Sequence, residues 1–183
     1  MSIWPRRRTA LPAHARAWLE PDERVLTVAT TPYGDPVVAT PRGIWMAERT
    51  TRPEEPNGRL LAWEYIVTAR WAGDVLTVTT AEEVTPGIMK RLPSVNFPLP
   101  EPADLPRVVR QRVDRSVAAS HRRALSTANT VLLVGRRVSG RDGLLWYAVF
   151  DRESDADDPQ ARREAATLLE SVAAQSRLPS DTG

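Results

Sequence analysis

Serine, histidine and carboxylate side chains are the groups in this sequence that could perform hydrolysis or acid–base catalysis, but their spacing does not assemble a catalytic set. Ser120 and His121 are adjacent in a segment predicted to be helical, and adjacent helical residues do not face each other. No acidic residue is obviously placed to orient the imidazole, and His14 is the only other histidine. The sequence therefore indicates neither a catalytic triad nor a histidine-ligated metal site.

Two further segments resemble ligand-binding loops without meeting their requirements. Acidic residues alternate from Asp151 to Asp157, but an EF-hand needs glycine and glutamate where this chain has Ala156 and Arg162. The segment Gly135–Asp142 follows a predicted strand as a phosphate-binding P-loop would, yet it lacks the lysine and the following helix of that motif. We therefore expect a solvated acidic linker and a hairpin turn, respectively.

Composition excludes further kinds of chemistry. The chain has no cysteine, which removes disulfides, thiolate nucleophiles and cysteine-ligated metals. No stretch approaches the roughly 18–20 apolar residues of a membrane span. The residues after Arg8 also lack the apolar run of about 7–15 residues that a secretory signal requires. We expect a cytoplasmic protein without a cofactor, and the inventory favours a protein that is not an enzyme.

Arginine is the residue type whose distribution points to binding. Lys90 is the only lysine among 25 basic residues, and the planar guanidinium suits carboxylates, phosphates and aromatic faces. The predicted helix Asp104–Arg123 carries several arginines away from its apolar stripe: Arg107, Arg110, Arg115, Arg122 and Arg123. This face could meet nucleic acid, anionic lipid or an acidic protein, or it could be a solvated face paired with the chain's own acids.

A second basic cluster lies near the start of the chain. Arg6, Arg7 and Arg8 follow Trp4 within one short segment. An apolar anchor beside a basic cluster could contact a membrane surface or a partner's groove. It could equally fold back on its own domain.

The scaffold for these residues is predicted to be a series of strands followed by a helix. Val75–Thr80 alternates apolar and polar residues, as in a half-buried antiparallel strand. Residues 81–94 are expected to be irregular. The complete set of strand-like runs is Val25–Thr31, Pro36–Thr40, Gly43–Glu48, Arg59–Trp71, Val75–Thr80 and Val95–Leu99.

Three helices and a hairpin complete the prediction. Leu11–Glu20 can form a short helix, and Asp104 can cap the helix Asp104–Arg123, whose apolar residues recur at four-residue steps. Thr130–Val138 and Leu144–Phe150 are predicted to form a β-hairpin. Asp158 and Pro159 are typical of a helix start, so a terminal helix follows.

Three segments of the predicted sheet resemble the sequence pattern of one protein family. Asp22–Leu26, Val37–Trp45 and Leu61–Ile66 resemble the bacterial pleckstrin-homology-like (PH-like) proteins, in particular an uncharacterised actinobacterial group. The resemblance implies a strongly bent antiparallel sheet closed by one helix. Phosphoinositide-binding members carry several basic residues around the first turn, whereas Thr31–Pro36 has none. The predicted positive surface therefore lies on the outer face of the predicted helix Asp104–Arg123 and on the N-terminal arm, rather than around the first turn.

The sequence as a whole predicts an α+β protein: a strongly bent antiparallel PH-like sheet or partial barrel closed by one helix, then a β-hairpin and a C-terminal helix. Residues 1–10 would be a flexible basic arm and residues 11–125 the PH-like domain with its short N-terminal helix. Residues 126–177 would pack on the same domain, and residues 178–183 would be frayed.

The expected function is that of a non-catalytic interaction or scaffold module of PH-like type. It would bind an unknown protein partner through an exposed sheet edge, the arginine-rich helix or the basic arm. The alternative is a binder of an anionic surface, either lipid headgroups or nucleic acid, through the helix and the arm. A small-ligand enzyme is the third possibility, and the oligomeric state stays open.

Overall fold

The computed structural model describes residues 10–48, 57–126, 130–138, 140–151 and 153–176. It is an α+β structure in which strands dominate, as the sequence predicts, and it contains a strongly curled sheet that forms half of a barrel. The chain forms two compact units. The first unit comprises the residues up to Val78 together with Ser94–Asp114, and the second unit comprises Thr79–Pro93 together with the residues from Arg115 onward.

The elements in chain order are α1 (Ala13–Arg16), β1 (Thr27–Thr30), β2 (Pro36–Ala39), β3 (Gly43–Ala47), β4 (Gly58–Ala62), a 3-10 turn (Trp63–Tyr65), β5 (Ile66–Ala72), β6 (Val75–Thr85), β7 (Ile88–Arg91), β8 (Val95–Pro98), α2 (Leu105–Ser116), β9 (Val117–Ala124), β10 (Thr130–Arg136), β11 (Leu145–Phe150), α3 (Glu153–Asp157) and α4 (Pro159–Gln175). The chain passes from the first unit to the second within β6 and again within α2.

The first unit is organised around an antiparallel sheet in the order β1-β2-β3-β4. Val37 of β2 shares a core with Leu105 and Val109 of α2. Val38, the next residue of β2, packs on the other face in a cluster with Trp18. Because successive residues of a strand point to opposite faces, β2 is buried on both sides.

In the second unit the strands follow the order β6-β7-β11-β10-β9. The pairing of β7 with β11 is parallel, and β10 pairs antiparallel with both β11 and β9. Helix α4 covers one face, where its fully buried Ala161 and Ala165 pack in a core with Leu133. The predicted cap of this helix is confirmed, since Asp158 accepts a hydrogen bond from the backbone N–H of Gln160 at 2.8 Å.

The predicted helix Asp104–Arg123 is wrong over its second half. Helix α2 ends at Ser116, and Val117–Ala124 is strand β9. Val117 fits both patterns, because it follows Val113 by one helical repeat and also begins a strand in which Val117 and Ala119 are less exposed than Ala118. Pairing with β10 along the whole of β9 decides the outcome, as tertiary context often overrides local preference.

Four other expectations need correction. Residues 81–94 are not irregular, because β6 continues to Thr85 and pairs with β7 around a turn at Gly87, whose φ is 76°. The run Arg59–Trp71 is divided by the 3-10 turn, helix α1 spans only Ala13–Arg16, and the acidic linker contains α3. The hairpin of β10 and β11 is confirmed.

Candidate interaction surfaces

The structure divides the predicted arginines between the two units. Arg107 and Arg110 belong to the first unit, whereas Arg115, Arg122 and Arg123 belong to the second. All five are exposed. Trp4 and Arg6–Arg8 lie outside the described residues. The predicted single arginine face therefore does not exist as one helical surface, and each part has its own surroundings.

Two arginines of α2, Arg107 and Arg110, pair with acids of the same segment. Arg107 Nη2 lies 3.4 Å from an oxygen of Asp104, and Arg110 Nε lies 3.8 Å from an oxygen of Asp114. These spacings of three and four residues are those at which helical side chains meet. The side chains of Arg107 and Arg110 remain 61% and 86% exposed, so the pairs are weak surface interactions. This geometry favours a solvated face.

Arg122 and Arg123 lie instead on the last strand of a sheet. In the described part of the chain, β9 pairs with β10 alone, so its other edge carries unpaired backbone groups. The residues from Ser120 to Ala124 are all exposed. Arg122 and Arg123 extend to opposite faces because they are consecutive in a strand. An exposed strand edge of this length is a template for pairing with another chain.

The two edge arginines differ in their partners. Arg122 forms an ion pair with Asp151, which also accepts a hydrogen bond from Thr130 and lies 2.9 Å from Arg91. Arg123 donates to the carbonyl oxygen of Arg122 at 3.3 Å. No carboxylate among the described residues lies within ion-pair distance of Arg123. The guanidinium of Arg123 is thus the cation of β9 that is available to an acidic group.

His121 is stacked and is not arranged for acid–base work with Ser120. Its ring lies 6.0 Å from that of Trp146, centroid to centroid, with only 12° between the planes. Trp146 Nε1 donates to Ser176 Oγ at 3.0 Å, which fixes the indole. Ser120 and His121 point to opposite faces of β9, so the hydroxyl does not meet the imidazole.

A groove in the first unit was not anticipated from the sequence. It has a volume of about 470 Å³ and is lined by residues of the β1–β2 turn, β2, β3, β4 and β8. Tyr33 is the exposed aromatic side chain at its rim, at 75% exposure. Its turn was predicted correctly, and a tyrosine at such a tip was the available signal. The other lining residues are brought together by strand register, which the sequence does not reveal.

Among the described residues there is neither a metal-binding cluster nor a membrane-spanning helix. Within the described ranges, no group of three or more histidine, aspartate or glutamate side chains is placed to hold a metal ion. In the same part of the chain, no helix is both long enough and apolar enough to cross a membrane. The acidic run that resembled a calcium loop is used otherwise, since Asp151 is held by arginines and Glu153–Asp157 is helical.

Comparison with family models, with curated proteins and with solved structures finds no match to this chain.

Proposed function

We propose that this protein is a non-catalytic, PH-like interaction module of the cytoplasm, and that it binds an extended acidic segment of a protein partner along the free edge of β9. The observation that carries the proposal is the edge itself. Strand β9 is eight residues long, it is paired on one side only among the described residues, and its last five residues are exposed.

Backbone pairing would supply the affinity at this edge. An added strand satisfies the N–H and C=O groups that the edge leaves open, and its side chains lie beside those of the receiving strand. Arg123, which has no carboxylate of the described residues within ion-pair distance, could meet an acidic side chain of the partner strand. Charge would therefore set the register of the complex as well as its specificity.

The charge of β9 also discriminates between partners. The strand contains His121, Arg122 and Arg123 and no carboxylate. A second copy of β9 would add cationic side chains and no carboxylate to the edge, whereas an acidic segment supplies a carboxylate for Arg123. This asymmetry favours a different protein over a second copy of the chain, and charged residues on an edge are a known way to prevent self-association.

The alternative is binding of an anionic lipid or nucleic-acid surface through α2 and the N-terminal arm. It is supported by the exposure of Arg107 and Arg110, but these side chains already pair with Asp104 and Asp114. It predicts affinity that falls steeply with salt and depends on several arginines at once. The edge proposal predicts dependence on Arg123 and on the backbone of β9.

A charge reversal on β9 tests the proposal. The probe is an eight-residue peptide that alternates glutamate with valine, labelled for fluorescence anisotropy. We expect Arg123→Glu to weaken binding about tenfold, roughly 1.4 kcal/mol. Arg110→Glu makes the same charge change on α2 and should alter affinity by less than about twofold. Equal losses for the two variants would indicate binding by net charge and contradict the proposal.

A pair of proline variants tests the backbone contribution. In an antiparallel strand, the N–H groups of adjacent residues point alternately toward the neighbouring strand and away from it. Ser120→Pro and His121→Pro therefore remove one N–H that points toward β10 and one that points away from it. His121→Ala is the reference for His121→Pro, because both changes remove the imidazole that stacks on Trp146. The proline variant that keeps the melting temperature of its reference has lost the outward N–H, and it should bind the peptide at least about tenfold more weakly than that reference. Undiminished binding by that variant would overturn the proposal.

A further inference from the structure

The groove of the first unit presents a second open strand edge. Strand β8 pairs with β6 through four residues, from Val95 opposite Val78 to Pro98 opposite Val75. In the described part of the chain it has no strand on its other side. All four residues of β8 line the groove. Because consecutive residues alternate between faces, a run of four lining residues means that the strand borders the groove with its edge.

The floor of the groove is apolar. Val37 of β2 lies directly opposite Met46 of β3 in the strand register, and both face the groove together with Phe97 of β8. Val37 and Phe97 are buried, whereas Met46 is only partly so. The flexible thioether of methionine adapts to different apolar groups. This floor can therefore receive one apolar side chain from a segment lying along β8.

The open end of the groove is acidic. The register of strands β2 and β3 ends at the pair of Val37 and Met46, and Asp35 directly precedes β2 while Glu48 directly follows β3. Both residues line the groove, and neither forms an ion pair with another described residue. Two carboxylates that line one groove repel each other, and a bound cation lowers that repulsion. The neighbouring Tyr33 ring, 75% exposed, adds a face that attracts cations.

Arg59 gives the groove a direction. It lies opposite Met46 on β4, lines the groove and has no ion pair among the described residues. A ligand with a basic group at Asp35 and Glu48 can therefore place an acidic group or a terminal carboxylate near Arg59. The volume of about 470 Å³ falls within the range of ligand pockets, roughly 300–1,000 Å³.

From these contacts we infer that the groove binds an extended peptide segment of a protein partner, which pairs with the free edge of β8 and alternates basic and apolar residues. The basic side chain lies between Asp35 and Glu48, and the apolar side chain packs on Val37, Met46 and Phe97. This site differs from the β9 edge in charge and in location, and it does not depend on the function proposed above.

Binding of two designed peptides to the full-length protein tests the inference. One octapeptide alternates arginine with leucine, and the other alternates glutamate with leucine. We expect the arginine peptide to bind at least tenfold more tightly. The double variant Asp35→Asn/Glu48→Gln should remove most of that difference, whereas Asp22→Asn/Asp142→Asn, the same charge change at exposed positions that do not line the groove, should leave it. Equal losses for the two double variants would overturn the inference.

Hydrogen exchange on the unmodified protein locates the peptide. We expect the arginine peptide to slow exchange of the amides of β8, and protection confined to other strands would overturn the inference.

The chain's own basic arm is the competing occupant. If Arg6→Glu/Arg7→Glu/Arg8→Glu speeds exchange of β8 in the free protein and tightens peptide binding, the arm occupies the groove and the partner assignment is wrong. Unchanged exchange in that variant supports a partner.

Discussion

The side chain of Glu23 links the segment before β1 to the sheet through hydrogen bonds. Its carboxylate accepts hydrogen bonds from Trp45 Nε1 at 2.9 Å and from the backbone N–H of Glu20 at 3.2 Å, and Arg42 Nη1 lies 3.7 Å away. The side chain is only 3% exposed. Burial raises the pKa of Glu23, but the hydrogen bonds from Thr40, Trp45 and Glu20 and the charge of Arg42 together lower it below the ordinary value of 4.5.

The lowered pKa of Glu23 gives a prediction about acid stability. A carboxyl whose pKa is lower in the folded protein stabilises it fully above the unfolded pKa, and that contribution disappears as the pH falls through the folded pKa. We expect Glu23→Gln to cost about 1–3 kcal/mol at pH 7, because the hydrogen bonds lose their charged acceptor. The variant should also lose stability less steeply as the pH falls below the ordinary glutamate pKa of 4.5.

Urea denaturation at a series of pH values measures both effects. Asp22→Asn is the control, because Asp22 is an exposed neighbour, and it should change stability by less than about 0.5 kcal/mol. A Glu23→Gln variant that retains the parent stability and the parent pH dependence would show that the charged Glu23 carboxylate does not stabilise the fold.

At the scale of elements, the sequence predicts the positions of turns better than it predicts whether the residues between two turns form a helix or a strand. The turn at Tyr33-Gly34 carries Pro, Gly and Asp and the β10–β11 connection carries Gly and Asp, whose backbone preferences are local, and both turns are confirmed. The boundary at Ser116 was missed because Val117 satisfies a helical and a strand period equally. The groove was missed because register, a property of pairs of strands, brings Val37, Met46 and Phe97 together.

Gly135 is required where Trp146 crosses strand β10. A Cβ at this position would lie 3.0 Å from two atoms of the indole ring. The ring is held on its other sides by Ser176 and His121, so it cannot yield freely. We expect Gly135→Ala to destabilise the protein by about 1–2 kcal/mol and to shift the indole N–H resonance of Trp146 in an NMR spectrum.

Ser120→Ala changes an exposed side chain on the neighbouring strand and should alter stability by less than about 0.5 kcal/mol. If Gly135→Ala is as stable as the parent and leaves the indole resonance in place, the packing of Trp146 over this glycine is not a constraint.

At the scale of the whole molecule, neither unit is a continuous piece of sequence. The second unit takes β7 and the second half of β6 from Thr79–Pro93 and the rest from Arg115 onward. Strand β7 is the parallel neighbour of β11, and Ile88 lies in the core beneath α4. A fragment of residues 115–183 would therefore lack a central strand, and we expect it to show no cooperative thermal transition by circular dichroism. A sharp transition like that of the full chain would show that β7 is dispensable.

The parallel pairing of β7 with β11 has a consequence for biosynthesis. Ile88 leaves the ribosome roughly sixty residues before its partner Ala148, which at about 5–20 residues per second is a delay on the order of 3–12 s. All sequence of the first unit has been translated by Asp114, before β9, β10 or β11 exists. During that interval, the edge of β7 that later pairs with β11 has no partner strand. The nascent chain is therefore most exposed to aggregation and to chaperones between the synthesis of α2 and that of β11.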